Sequence, residues 1–386
     1  MRLGDLGVFK SGGTPSRSKK EYWGGEYPWI SSTALGATYI DEKSASDWVS
    51  EEGLRRSATK LIKANSVMVG IRVGVGKCAI NSVPMCTSQD VVSIEDIDEE
   101  QYDLPYLLAL INSKRSYFES IKRGATIQGI TTGDIQSIPV PNIKKAEQKK
   151  ISDMLENVGN MEKLYRKQLA ALDALVKSRF IEMFGDPVTN PMGWDVKKLS
   201  DICTVGSSKR VYQSEQTTTG VPFLRISDLV SRITSQEESC DLHISEGMFS
   251  DFEQQGLVPN AGDILVTARG TLGLCYIIKP GDRFYFQDGM ISWVHTSEAE
   301  VNPVYISYLF DSQGIRRQID SVIAGSTVAY LSIAQLGKFD ILMPPIALQN
   351  QFADFVALAD KSKLTIQKSI EDLHTLKAKL MQEYFG

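Results

Sequence analysis

Scarcity defines the chemistry of this sequence before anything else does. Its three histidines, His243, His295 and His374, show no metal-ligand spacing and no paired nucleophile, so no histidine metal centre or histidine-based catalytic pair follows. Five cysteines, Cys78, Cys86, Cys203, Cys240 and Cys275, are odd in number and include no Cys-x-x-Cys. That pattern excludes a disulfide framework and a zinc site, and leaves buried reduced thiols in a cytosol as the expectation. No stretch approaches about 18 consecutive apolar residues, and Met1-Arg2-Leu3-Gly4-Asp5 has no apolar leader core, so a cytoplasmic chain without membrane contact is expected. There is no basic excess either: 42 Lys and Arg against 47 Asp and Glu give a net charge of −5. A uniformly basic nucleic-acid coat is thereby excluded, but a local basic face is not, because distribution rather than sum sets an electrostatic footprint.

Nucleotide and methyl-donor motifs are missing too. Gly70-Ile71-Arg72-Val73-Gly74-Val75-Gly76-Lys77-Cys78 has the look of a phosphate loop, yet its glycine spacing is one residue too long. Cys78 also stands where Ser or Thr would bind magnesium. Asn190-Pro191-Met192-Gly193-Trp194 lacks the second proline and adjacent aromatic of the amino-methyltransferase motif, and no glycine-rich cofactor loop precedes it. No catalytic residue, no metal ligand and no cofactor bound by this chain is expected.

What is present is a repeat. With 386 residues, 42% hydrophobic and 23% charged, the chain has room for two or three ordinary globular domains. Phe184-Gly185 returns as Phe385-Gly386 at an offset of 201, and Leu172 and Leu175 return as Leu373 and Leu376. Arg72, Gly76 and Cys78 match Arg269, Gly273 and Cys275 at 197, while Gln89-Asp90 and Pro105 match Gln287-Asp288 and Pro303 at 198. So long a period is no solenoid, whose units run roughly 20 to 50 residues. It marks a duplicated unit with small loop insertions.

Each half closes on a heptad pattern. Apolar residues recur at steps of three and four through Ile151, Met154, Val158, Met161, Tyr165, Leu172 and Leu175, with Gln168 as a polar break. The same register, 201 later, holds Phe352, Phe355, Ala359, Ser362, Ile366, Ser369, Leu373, Leu376 and Leu380. Leu155, Leu169, Val176 and Phe180 widen the first stripe. A 3.5-residue repeat keeps one stripe against a partner helix, so the two helices are expected to pair with each other, rods of roughly 50 Å. Since the first must carry the chain into the second half, the pair is expected to be antiparallel with a globular domain at either end. The alternative is that each helix packs along its own domain.

The predicted organisation is therefore α+β, with a mixed α/β domain over 1–145, a helix over 146–185, a second domain over 186–345 and a second helix over 346–386. Short β-rich runs at 66–72 and 263–269, and helices after Pro105 and Pro303, occupy matching places in the two domains.

Several strings share one family pattern. The first domain opens with Gly7-Val8-Phe9-Lys10-Ser11-Gly12-Gly13-Thr14-Pro15-Ser16, then Tyr22-Trp23 and Pro28-Trp29-Ile30-Ser31. It closes with Gly124-Ala125-Thr126-Ile127-Gln128-Gly129-Ile130, Ile138-Pro139-Val140-Pro141 and Glu147-Gln148. The second domain echoes it with Pro222-Phe223-Leu224-Arg225-Ile226, Gly262-Asp263-Ile264-Leu265-Val266, Gly325-Ser326-Thr327 and Met343-Pro344-Pro345. Nearly the whole chain thus resembles the specificity subunits of type I restriction–modification systems. It departs from that pattern where Gly206-Ser207-Ser208-Lys209-Arg210 replaces the Gly-Gly-Thr-Pro string, and where Leu348-Gln349 replaces Glu147-Gln148. The resemblance implies a non-catalytic subunit whose two target recognition domains each read half of a bipartite double-stranded DNA site. It implies a coiled coil that sets the unread spacer. It further implies two modification subunits that methylate adenine with S-adenosylmethionine, and two restriction subunits that use ATP and Mg.

Phosphates are met by Arg, Lys, Ser, Thr and backbone N–H, and bases by side chains that reach their edges. Candidate DNA contacts in the first half are Ser11, Gly13, Thr14, Arg17, Lys19, Lys20, Arg72, Lys77, Arg123, Thr126 and Gln128. In the second they are Ser208, Lys209, Arg210, Arg225, Arg269, Thr271, Ser326 and Tyr330. Arg72 and Arg269 are the best pair because the repeat makes them equivalent. Trp23 and Trp29 are read as core aromatics. The competing reading of the whole chain is a coiled-coil scaffold whose domains bind proteins or small ligands; a self-contained methyltransferase or nuclease is disfavoured by the missing motifs.

Overall fold

The strand Val67–Gly70 is buried along its whole length, so its alternating side chains must be covered on both sides. The computed structural model describes residues 1–124, 128–235, 238–297, 299–324 and 329–386. They form two compact units, one of Met1–Lys167 with Gln367–Gly386 and one of Gln168–Ile366.

In the first unit a five-stranded sheet runs in the order Val8–Ser11, Val91–Glu95, Val67–Gly70, Cys78–Asn81, Tyr39–Ile40. Strand alternation divides its side chains between two cores. Val67, Val69, Cys78, Ile80, Val92 and Ile94 face helices, among them Leu104–Ser113. Met68, Ala79 and Val91 meet Ile30, Ile62 and Met85 of a second, four-stranded sheet. That second sheet contains a parallel pairing, Trp29 opposite Cys86 and Ile30 opposite Thr87.

The second unit repeats the plan. Its main sheet runs Thr204–Gly206, Ile291–His295, Ile264–Thr267, Cys275–Ile277, and its companion sheet again holds one parallel pairing, Phe223 with Tyr285 and Leu224 with Phe286. Ile264, Val266 and Val294 face helices, while Leu265, Tyr276, Ile291 and Trp293 face the companion sheet and its neighbours.

Two helices of 40 residues, Lys145–Phe184 and Ile346–Phe385, each supply segments to both units. At 1.5 Å per residue each is about 60 Å long. Ile151, Leu155 and Val158 of the first share a core with Leu373, Leu380 and Phe385 of the second. In the other unit Asp173, Arg179 and Phe184 meet Lys363, Phe355 and Phe352, so the helices run antiparallel. They also pack against their domains, which makes the two expected modes of packing simultaneous rather than alternative.

The seam is shifted from its expected register. Ile151, Val158, Tyr165, Leu172, Phe352, Phe355, Ile366, Leu373 and Leu380 are buried or half-buried, but Met154, Met161, Leu175 and Leu376 are 41 to 51% exposed. In the first helix the places of Met154, Met161 and Leu175 are taken by neighbours one residue on, Leu155, Glu162 and Val176. In the second, Val356, Lys363 and Ile370 are buried or half-buried next to Phe355, Ser362 and Ser369, while Lys377, next to Leu376, is exposed. Gln168 and Ser362, expected as polar seam positions, are exposed. A three-four repeat and a four-three repeat share every seventh residue, and both stripes are mostly apolar here, with Glu162 and Lys363 as charged exceptions in the shifted one. The body of each unit decides between them by covering only the Leu155 and Val176 side.

Each long helix is fastened at both ends. The buried Gln148 accepts a bond from Asp103 N (3.0 Å) and donates to Ile143 O (3.0 Å), while Gln349 does the same with Asn302 N (2.9 Å) and Pro344 O (2.8 Å). At the far ends the repeated Phe-Gly reappears as two plugs. Phe184 packs on Tyr305 with ring centroids 4.7 Å apart, and Phe385 on Tyr106 at 5.2 Å.

Leu155→Ala is expected to cost the chain about 2–5 kcal/mol in urea unfolding, the usual range for a buried leucine. Met154→Ala should stay within about 0.5 kcal/mol, as exposed substitutions do. Equal losses would refute the shifted seam.

Candidate nucleic-acid interface

In the first unit the glycine-rich run after Val67–Gly70 closes a hairpin, with Gly76 N bonded to Gly70 O (2.9 Å) and Gly70 N to Lys77 O (2.8 Å). Gly76 has φ 74° and lies where a Cβ would come within 2.9 Å of the Phe118 ring. Those glycines are explained by turn geometry and close packing rather than by phosphate binding. The hairpin projects Arg72 into solvent.

Two further segments are bonded to that hairpin. Ile130 N donates to Ile71 O (2.8 Å), and Arg123 and Gly129 exchange a pair of backbone bonds (2.9 Å each), which brings Arg123 and Gln128 beside Arg72. Ile71 N donates to Asp90 O (2.9 Å), and Gly12 N donates to Val91 O (3.0 Å), which adds the Ser11-Gly12-Gly13-Thr14 segment. Thr14 Oγ1 reaches Gln89 Oε1. Arg72 pairs with Asp90 at 3.4 Å and Arg123 with Asp134 at 2.9 Å. Burial works against the Asp134 charge, but hydrogen bonds from Thr131 and the charge of Arg123 hold its carboxyl below the usual range.

The second unit builds the same border. Gly273 N donates to Thr267 O (2.9 Å), Leu331 N to Ala268 O (3.0 Å) and Ala268 N to Met290 O (2.9 Å). Arg269 and Tyr330 are bridged, with the guanidinium 5.3 Å from the ring centroid. Ser207-Ser208-Lys209-Arg210 lies across the neighbouring turn: Ser208 Oγ donates to Phe286 O (2.6 Å) and Arg210 Nε to Asp288 (3.0 Å). This segment, unlike Ser11–Thr14 in sequence, thus occupies its place. Thr271 is exposed on the same hairpin, where its carbonyl accepts the Thr267 hydroxyl.

Other expected contacts stand elsewhere or are already engaged. Arg17 lies over the Trp23 ring at 3.8 Å and pairs with Asp47, and Lys19 donates to Tyr22 (2.9 Å). Trp29 is buried as expected, but Trp23 is half-buried beneath Arg17. Lys20 is exposed next to them. Gly13 is buried, and a Cβ there would sit 2.4 Å from Ala58 O, so its need is backbone packing. Lys77 is half-buried with its stem against Gly74. Arg225 caps its own helix, Ile226–Thr234, through Asp228, with Nε and Nη2 bonds of 3.0 and 3.1 Å. Thr126 and Ser326 lie outside the described residues.

Gln89-Asp90 and Gln287-Asp288 were not among the expected site residues, although their identity in both halves was the available signal. Each aspartate holds an exposed arginine, Arg72 in one unit and Arg210 in the other. Cys78, Cys86 and Cys203 are buried and Cys240 and Cys275 half-buried; burial pushes the Cys78 thiol up to about 12. Among the described residues no cluster of His, Cys, Asp or Glu could hold a metal ion, and no helix is long and apolar enough to cross a membrane.

Comparison with known proteins gives a consistent set of relatives. A family model described as the type I restriction modification DNA specificity domain matches residues 1–174 and again 191–373. The type I restriction enzyme MjaIX specificity subunit of Methanocaldococcus jannaschii is 24% identical over 98% of this chain and 90% of its own length. The EcoR124I/EcoR124II specificity subunit of Escherichia coli is 36% identical over 40% of this chain and 39% of its own. Among solved structures, the S subunit of a type I restriction–modification system from M. genitalium aligns with TM-score 0.54 at 16% identity, covering 100% of this chain and 95% of that one. A chain from a study of complex assembly in a type I R-M system aligns at TM-score 0.64 and 16% identity, covering 100% and 96%.

Because its folded-state pKa is depressed, against burial, by bonds from Arg225, Asp228 contributes stability above the unfolded carboxylate pKa of about 4 and loses it as pH falls through the lower folded value. Asp228→Asn should therefore unfold at lower urea than the parent at pH 7, with the gap narrowing as pH is lowered toward 3. A gap independent of pH would refute this role.

Proposed function

This chain belongs to the type I restriction–modification DNA specificity family, and from that premise we propose that it reads a two-part target, one half with each unit, and positions methyltransferase and restriction subunits there. The observation that carries the reading is the double one. The family model matches twice, and each match contains a hairpin arginine, Arg72 or Arg269, joined by hydrogen bonds to a polar loop and to the turn of Gln89-Asp90 or Gln287-Asp288. Exposed arginines on a turn can reach guanine edges or phosphates, and Arg72 and Arg269 stand on matching hairpins of the two units.

The chain acts as a non-catalytic specificity subunit. Two modification subunits would bring S-adenosylmethionine, and two restriction subunits would bring ATP and Mg. The long antiparallel helices set the unread distance between half-sites, as a protein's own symmetry does in other two-site readers. The assembly works in the cytoplasm, on double-stranded DNA. Its affinity falls steeply with salt as condensed counterions are released.

Arg72→Ala and Arg269→Ala, each assayed in the complex with the modification subunit, should relax sequence preference in one half-site and leave the other unchanged. A lost bidentate base contact is worth about 1–3 kcal/mol, or roughly five- to 150-fold in discrimination. Loss of preference in both halves from one substitution would refute modular reading; no DNA binding by the parent complex would favour a scaffold.

Inserting one heptad at equivalent points of both long helices lengthens them by about 10 Å. At 3.4 Å per base pair the preferred spacer should grow by about three base pairs. Methylation of a spacer-length library reads this directly, and an unchanged optimum would show that the helices are not the ruler.

A further inference from the structure

The shifted seam puts a charged residue inside each half of the helix pair. In the first unit Glu162 Oε1 meets His374 Nε2 at 3.1 Å; in the second Lys363 Nζ meets Asp173 Oδ1 at 2.7 Å. The inner members are 22% and 20% exposed, and their partners 53% and 61%. These four residues are two equivalent positions, because 363 lies 201 after 162 and 374 lies 201 after 173. Their charges are exchanged between the helices. The inner position is acidic on the first helix and basic on the second; the outer one is acidic on the first and a histidine on the second.

Neighbours on the same helix follow the exchange. Arg166 bonds Glu162 (2.9 and 3.0 Å) and Asp360 bonds Lys363 (3.2 Å). His374 and then Arg166 hold the Glu162 carboxyl below its usual range.

Duplication makes this arrangement consequential. The two helices descend from one pattern and share an apolar seam, so shape alone does not stop either from pairing with its own kind in a second copy. Antiparallel pairing of two first helices would set Glu162 against Asp173 twice. Pairing of two second helices would set Lys363 against His374 twice. Only the unlike pair is complementary at both layers. Charges flanking a coiled-coil seam choose partners in this way, mainly by penalising the wrong one.

We propose that Glu162, Asp173, Lys363 and His374 form a two-layer charge code that directs the first long helix to the second and rejects like-with-like pairing between copies of this chain. It does not depend on what the two domains bind.

The test uses the full-length chain at pH 6. Asp173→Lys with His374→Glu puts a lysine opposite Lys363 and a glutamate opposite Glu162, and leaves the bonds to Arg166 and Asp360 in place. The same pair of changes makes like helices complementary. At low salt the variant should melt below the parent and sediment at twice the parent's mass. Both differences should shrink at about 1 M salt, where the Debye length is about 3 Å. Lys363→Glu added to Asp173→Lys alone should restore the melting temperature lost by Asp173→Lys. The proposal is overturned by a low-salt melting temperature equal to the parent's, or by destabilisation at unchanged mass. A loss that Lys363→Glu does not repair overturns it as well, and that arm stands even if the double variant fails to fold.

Discussion

The glutamine at the entrance of each long helix is the interaction on which the rest of the architecture hangs. Gln148 and Gln349 are buried, and a buried amide is costly unless its donors and acceptor are used. Each takes the backbone N–H of the residue that caps a short helix, Asp103 or Asn302, and gives an N–H to the proline-containing segment that leads into the long helix. One side chain thereby fixes three segments: the sheet-covering helix, the exit from the domain and the first turn of the rod. Asp103 deepens the tie by accepting Ser152 Oγ at 2.6 Å one turn along. The Phe-Gly plugs complete it at the other end of each rod.

A rod held in this way is fixed against the domain it leaves. The candidate interface is built with more freedom. Both units retain the hairpin and its bonded loop, while the buried carboxylate that braces the main sheet has moved. In the first unit it is Glu95, which accepts Lys63 N (2.8 Å) and pairs with Lys10. In the second it is Asp263, which accepts Trp293 Nε1 (2.9 Å), Asn260 N (2.9 Å) and Ser297 N (3.1 Å). The strand position of Glu95, opposite the first residue of the edge strand, is held by His295, stacked on Trp293. The two domains keep a backbone plan and exchange the side chains that support it, so they can present different surfaces on one frame.

Much of this was legible in the sequence, and the parts that were not share a cause. Repeats, turn residues and heptads are local or periodic, so the duplicated α+β plan and the long helices could be read directly. The arginine pair Arg72 and Arg269 was singled out because one offset links them, and both prove to be exposed on matching hairpins. Arg17 and Arg225 carried the same residue type and sat in equally polar strings, but nothing local showed that Trp23 or Asp228 would engage them. The Asp90 and Asp288 turn was visible as a repeated dipeptide without a role, because its arginine partners lie 18 and 78 residues away.

By itself, then, the sequence determined the duplication, the two long helices, the matching strand and helix runs of each half, the family and the lack of catalytic motifs. These follow from residue identity and spacing along one chain. Tertiary structure decided which of two overlapping apolar stripes became the seam, and so whether Met154 or Leu155 lies inside. It also decided which basic side chains remain available and which acids hold them. Those outcomes depend on which surfaces the body of each unit covers, and coverage is a property of packing that periodicity does not contain.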